Sequence, residues 1–166
     1  RGGRGFHGSN RGFSTGREQG RVVDGVREYF YFLDAHGRLH LDDVESHISG
    51  EVGMGKRKVF TIATAYKDEP FLDFFFRRVR PNTSKAHIDQ YPFVSPCGKE
   101  LNFLRPEDTA LVFSRLQSGR LYYSPTLYVP FQPDKLSVSD LGRMYHPAPS
   151  RLAGEGGVGL VGGVVN

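Results

Sequence analysis

Hydrophobic and polar positions alternate along REYFYFLDAHGRLHLDD, residues 27–43, break at Asp34-Ala35-His36-Gly37, and alternate again through Leu39 and Leu41. This pattern predicts a β-hairpin. Asp34 suits the first turn position, and Gly37 can adopt the left-handed conformation that closes a three- to five-residue loop. Residues 44–58 carry Gly50, Gly53 and Gly55 and the basic run Lys56-Arg57-Lys58, and read as a loop. The period then changes in KDEPFLDFFFRRVRP, residues 67–81, where Phe71, Leu72, Phe75, Phe76 and Val79 fall on one helical face. Asp68 is the expected N-cap and Pro70 lies in the first turn; Arg77, Arg78 and Arg80 complement the C-terminal dipole, and Pro81 stops the helix.

From Tyr91 onward period two returns, with strands expected at 91–95, 100–104, 109–115, 120–124 and 127–131. Gln117-Ser118-Gly119-Arg120 reads as a second hairpin turn, and Pro125, Pro130 and Pro133 place the later strands at edges or bulges. Pro133-Asp134-Lys135-Leu136 opens a short helix, and residues 144–150 are expected to be extended and polyproline-like. The fold class is therefore α+β: a mostly antiparallel sheet with one principal helix, 68–80, packed on one face. Residues 1–21 read as a disordered N-terminal targeting segment, 22–150 as a single domain, and 151–166 as a frayed or aberrant tail. That tail ends in GEGGVGLVGGVVN, six glycines in thirteen positions with no evident core face.

Composition sharpens this picture in three places. A chain of 166 residues suits one core, and its 13 Phe and 8 Tyr, with no Trp, make that core aromatic. Its one cysteine, Cys97, rules out an intrachain disulfide, so no oxidising compartment is needed. The most apolar run, FLDFFF at 71–76, is far too short to span a bilayer, and no membrane span is expected.

Charge matters for where it sits. The net charge is +4, yet Arg1, Arg4, Arg11 and Arg17 stand in an acid-free segment, and removing them from the 22 basic residues leaves 18 against 18 acidic ones. The opening RGGRGFHGSNRGFSTGR has a single RGG triplet, which is weak as an RNA-binding arm. Transit peptides are Arg-rich, Ser-containing and acid-poor, and Arg11-Gly12-Phe13-Ser14 resembles a matrix-processing site, with arginine two residues before an aromatic and a small residue after it. Seven glycines in the first twenty positions oppose an amphipathic helix there. Targeting is preferred to RNA binding.

Four blocks, REYFYFLDAHGRLHLDD, FFFRRVRPN, YPFVSPCGKELNFLRPEDTALVF and GRMYHPAP, occur in that order between Arg27 and Pro149. Together they resemble a small eukaryotic family catalogued only as uncharacterised, whose animal members are mitochondrial. The resemblance implies a mitochondrial location, most naturally the matrix, and no assigned chemistry. Two departures stand out: the loop ESHISGEVGMGKRK is longer than the family's spacing, and GGVGLVGGVVN replaces further strand-like sequence. With Arg1 in place of Met, these suggest a fragment or an altered reading frame.

Candidate chemistry is sparse. Within SPCGKELNF, Cys97 could act as a nucleophile, with Glu100, Asn102 and Arg105 nearby and His146 brought in by the fold. An unperturbed thiol is only about 3% thiolate at neutral pH, so such a role needs a base. Pro96-Cys97-Gly98-Lys99 reads better as a hairpin turn. Paired carboxylates Asp42-Asp43 and Glu107-Asp108 invite acid/base work but sit where caps are expected. His36, His40, His47, His87 and His146 are scattered, no HExxH or P-loop pattern occurs, and neither a metal nor a cofactor is expected. Arg77, Arg78 and Arg80 with Lys85 could bind phosphates, RNA or an acidic protein, with the off-face Phe74 as a partner contact, although dipole complementation competes for the arginines. Three functions follow: a non-enzymatic accessory or assembly factor binding an unidentified mitochondrial protein or ribonucleoprotein, a hydrolase or transferase using Cys97 or Glu107/Asp108 with His146, and nucleic-acid binding through the RGG-like arm.

Overall fold

The first hairpin forms as its alternation predicts. In a computed structural model that describes residues 18–42, 64–152 and 157–163, β2 (Val26–Leu33) returns as β3 (Leu39–Leu41), with Leu33 opposite Leu39. Gly37 closes the turn at φ +81°. A shorter strand, β1 (Arg21–Val23), pairs with the start of β2 on the same edge. The expected loop at 44–58 lies outside the described residues.

Helix α1 (Glu69–Arg78) begins where the cap predicts: the Asp68 carboxylate accepts the Phe71 N–H at 2.7 Å. It ends two residues before the expected 80, because the residue preceding a proline avoids helical backbone. Arg80–Pro81 instead forms the edge strand β4, paired with β5 (Phe93–Cys97). Strand β5 turns into β6 (Glu100–Pro106) through Gly98 at φ +58°, so Cys97 sits opposite Glu100 and the two-residue loop is Gly98-Lys99.

The main sheet has the order β1-β2-β6-β5-β4, with β3 alongside β2. Its central pair, β2 and β6, is parallel from Arg27 opposite Glu100 to Leu33 opposite Pro106. The sheets are thus mixed, which corrects the expectation of a mostly antiparallel one. Period two marks strands but not their direction; the long crossover through α1 is what a parallel pairing requires. One face of the sheet packs Tyr31, Leu33, Leu39 and Leu104 against Phe75, Phe76 and Val79 of the helix region. The other buries Phe30, Tyr91, Val94 and Phe103, with Phe30 and Phe103 stacked at 5.3 Å.

Two smaller sheets complete the described residues. Strands β8 (Arg115–Gln117), β9 (Arg120–Tyr122) and β10 (Tyr128–Pro130) form a meander. Its first turn has Ser118 at φ +49° and Gly119 at φ +70°, the double left-handed pair of a tight hairpin. The third sheet has the order β11-β12-β13-β7, from β7 (Val112–Phe113), β11 (Ser137–Val138), β12 (Met144–Pro147) and β13 (Val158–Val161). Pro133–Lys135 is a single 3-10 turn as expected, and the stretch expected to be polyproline-like contributes strand β12.

Both ends of the assumed domain need correction. Gln19 lies within the expected disordered segment, yet its side chain donates to the Phe30 carbonyl at 3.0 Å and accepts the Phe30 N–H at 2.9 Å. The glycine-rich tail, read as lacking a core face, supplies β13, parallel to β7, with Leu160 5% exposed. Two of its glycines allow close approach: a Cβ on Gly159 would lie 2.6 Å from the Phe113 ring, and one on Gly162 would lie 3.0 Å from Val112.

Candidate functional site

His146, the base that any catalytic reading of this chain requires, is 1% exposed on β12. Its Nδ1 lies 2.9 Å from the Pro147 carbonyl, which can only accept, so Nδ1 carries the proton. Its Nε2 accepts the Gln132 N–H at 3.0 Å. The ring is stacked on Phe131 and edge-on to Phe113. Both nitrogens are therefore occupied by main chain, and neither hydrogen-bonds to Cys97, Glu107 or Asp108.

The other candidates are placed as structural groups. Glu107 accepts the Ala35 N–H at 3.0 Å and its own N–H donates to Leu33, so it fastens the first hairpin turn. Asp108 pairs with Arg143 and accepts the Tyr145 hydroxyl at 3.1 Å. Cys97 is half-buried at the end of β5 beside the Gly98-Lys99 turn, with Glu100 opposite. Asn102 is buried and donates to the Ser95 carbonyl at 2.9 Å. The proposed Cys97/Glu107/Asp108–His146 constellation is not assembled.

A polar cluster built on a carboxylate expected to serve as a cap is found on the sheet face opposite α1. Asp42 receives Arg105 through Nε at 2.9 Å and Nη2 at 3.0 Å, and the buried Tyr91 hydroxyl at 2.9 Å. The hydrogen bond to Asp42 raises the Arg105 pKa despite opposing burial. Arg105 also lies over the Phe32 ring, 4.6 Å from its centroid. Beside this cluster opens a 670 Å³ cleft reached by Asp89 and Asp108; among the described residues no His, Cys, Asp and Glu group could hold a metal. Asp43 and His47 lie outside the described residues.

In the turn between β2 and β3, Asp34 accepts the His36 and Arg38 N–H groups, Arg38 Nε at 2.7 Å, and faces His40 Nε2 at 3.2 Å. Burial pushes its carboxyl pKa up, but the hydrogen bonds from Arg38, His40 and His36 outweigh it and hold the pKa below its ordinary value. His36 is exposed, whereas His40 is 4% exposed. His87, at φ +55°, lies 3.3 Å from Glu28 and edge-on to Phe30 and Phe103.

At the C-terminal end of α1 the picture is different. Arg77, Arg78, Arg80 and Lys85 are all exposed. Arg78 lies over Phe74, 3.7 Å from the ring centroid, and reaches the Phe74 carbonyl. Arg151 donates to the Phe76 carbonyl at 3.0 Å. Carbonyls at this helix end are therefore served by Arg78 and Arg151, and Arg77 and Arg80 are left pointing outward. Arg11, Phe13 and Ser14 lie outside the described residues.

These features define an α+β protein of mixed sheets with one α-helix among the described residues, with Glu107, Asp108 and His146 engaged in structural contacts and cationic groups at the surface. The chain belongs to the family described as a domain of unknown function (DUF4505), which it matches over residues 19–165. That span includes Gln19 and β13, the two ends that the fold draws into the packed body. No solved structure matches the chain.

Proposed function

We propose that this protein is a non-enzymatic accessory or assembly factor that acts in mitochondria by binding a protein or ribonucleoprotein partner. The carrying observation is the end of α1, where Arg77, Arg80 and Lys85 are exposed with no carboxylate in salt-bridge range among the described residues. Arg78 and Arg151 do the capping there. An exposed guanidinium that serves no helix carbonyl and forms no salt bridge is best suited to an anionic partner, which it meets by charge-assisted, bidentate hydrogen bonds. Phe74 adds an aromatic surface at the same place. Mitochondrial placement is supported by the acid-free, Arg- and Ser-bearing segment at 1–17.

The test is affinity purification of the tagged full chain from mitochondria, wild type beside Arg77→Glu/Arg80→Glu. A reproducible partner recovered with wild type and lost from the variant, at unchanged thermal stability, is the expected result. Background alone, or the same partner at the same yield from both, overturns the reading.

A further inference from the structure

The outward face of the β8–β9–β10 meander carries a row of side chains that no local motif announces. The register places Arg115, Tyr122 and Tyr128 side by side across the three strands, and Gln117, Arg120 and Pro130 in the next row of that face. Leu116, Leu121 and Val129 point the other way and pack into the core, so the outward row stands on a fixed base. Arg115 lies over Tyr122, 4.0 Å from its ring centroid, and Arg120 over Tyr128 at 4.5 Å. The two tyrosine rings are 5.3 Å apart. Arg115 is further held by a 2.9 Å hydrogen bond to the Pro125 carbonyl.

We propose that this face is a binding platform for single-stranded RNA. Three properties select that occupant. A sheet face bearing aromatic rings and guanidinium planes gives successive bases stacking surfaces that tolerate any sequence. Arg120, and the N–H groups of Arg115 not given to the Pro125 carbonyl, can donate to phosphate oxygens. Charge is complementary along the strands: residues 109–133 contain no Asp or Glu, and no carboxylate among the described residues comes within salt-bridge range of Arg115 or Arg120. Tyr128 is 43% exposed, a large ring kept in water with no core to fill.

The platform also leads into a concavity. A 350 Å³ cavity shares Arg115 and Tyr122 with it and adds Tyr66, Phe76 and Tyr123 as aromatic walls, with Arg38 at its rim. That volume lies in the range of small-ligand sites and suits one base turned in from the strand. An acidic peptide would use the arginines but has no need of paired tyrosines, and duplex RNA has its bases stacked away from the rings.

This inference rests on the binding-protein reading but uses a different surface, so each can fail alone. The measurement is fluorescence anisotropy of a labelled 12-mer oligouridylate with the full chain, repeated across a salt series. A 12-mer RNA duplex and a polyglutamate peptide serve as competitors. Tyr128→Ala is expected to weaken binding by roughly 5- to 150-fold, the worth of one stacked base. Arg115→Gln/Arg120→Gln is expected to flatten the log–log salt slope by about 1.4, at roughly 0.7 for each phosphate no longer neutralised. Arg27→Gln, an exposed charge on β2, should leave both unchanged.

Replacing Arg1, Arg4, Arg11 and Arg17 by Gln separates the platform from the N-terminal segment: retained, Tyr128-dependent binding supports the proposal. Loss in that variant with no effect of Tyr128→Ala overturns it. Equal competition by duplex or by polyglutamate, or no binding of the 12-mer at low salt, overturns it too. Those outcomes leave the mitochondrial partner test at α1 standing.

Discussion

Replacing Gly159 by alanine tests whether the glycine-rich end of the chain is built into the core. The added Cβ would lie 2.6 Å from Phe113 Cε2, 3.1 Å from Cδ2 and 3.3 Å from the Leu111 carbonyl oxygen. Against ordinary contact beginning at 3.4 Å, the ring edge must retreat by about 0.8 Å. Phe113 is 0% exposed, with Tyr123 at 6.0 Å and His146 at 5.5 Å between ring centroids, so the ring has no free direction. Overpacking of this kind costs roughly 1–3 kcal/mol, offset by about 0.4–1 kcal/mol from the stiffer unfolded chain. A net loss of about 1–2 kcal/mol follows, or about 2–8 °C in Tm for a chain of this length. Gly163→Ala is the matched control, because nothing lies within 4 Å of its Cβ position. Urea denaturation and thermal melts of the two variants give the comparison. Equal midpoints for Gly159→Ala and Gly163→Ala would refute the docking of β13 and restore the loose-tail reading.

Two further perturbations address the ionisable groups. Asp34 has a folded pKa below its ordinary 3.8, so its carboxylate contributes stability that is fully present above the unfolded value and lost as pH falls through the folded one. Asp34→Asn should therefore be less stable than wild type at pH 7, with the gap in urea midpoint narrowing as the pH falls below the ordinary 3.8; a gap that stays constant on such acidification sinks the assignment. His146→Ala removes the acceptor for the Gln132 N–H and the filler between Phe113 and Phe131, costing about 3 kcal/mol by urea unfolding. A loss under about 1 kcal/mol, the worth of one ordinary hydrogen bond, would mean that His146 is free for another role.

The parts of this fold that could be read from the chain are those where one or two residues decide the geometry locally. Asp68 names the start of α1 because its side chain accepts the otherwise orphan N–H of Phe71. Gly37 and Ser118-Gly119 name their turns because left-handed backbone excludes most residues. What period two does not encode is strand direction. Residues 27–33 and 100–104 read as two good strands, but their parallel pairing is set by the path between them. The tail misled for a related reason: glycine weakens a strand in isolation, yet beside Phe113 and Val112 only glycine leaves room for the backbone. The partner that makes Gly159 sensible lies 46 residues earlier, beyond any local window.

The same distinction separates the two cationic surfaces. Arg77, Arg78 and Arg80 were visible because a helix gathers neighbours in sequence onto one end, whereas Arg115, Tyr122 and Tyr128 meet only through the cross-strand register of the meander. Asp73 joins the two. It stands one turn before Arg77 and accepts the Ser124 hydroxyl together with the Thr126 N–H at 3.0 Å and hydroxyl at 2.6 Å, from the loop between β9 and β10. Burial pushes its carboxyl pKa up, but the hydrogen bonds from Ser124 and Thr126, together with the charge of Arg77, outweigh it, so Asp73 stays ionised through the neutral range. Helix and meander are thus clamped to each other through one carboxylate, whose charge also faces Arg77 one helical turn on. The carboxylate that touches both elements is the one committed to holding them in register.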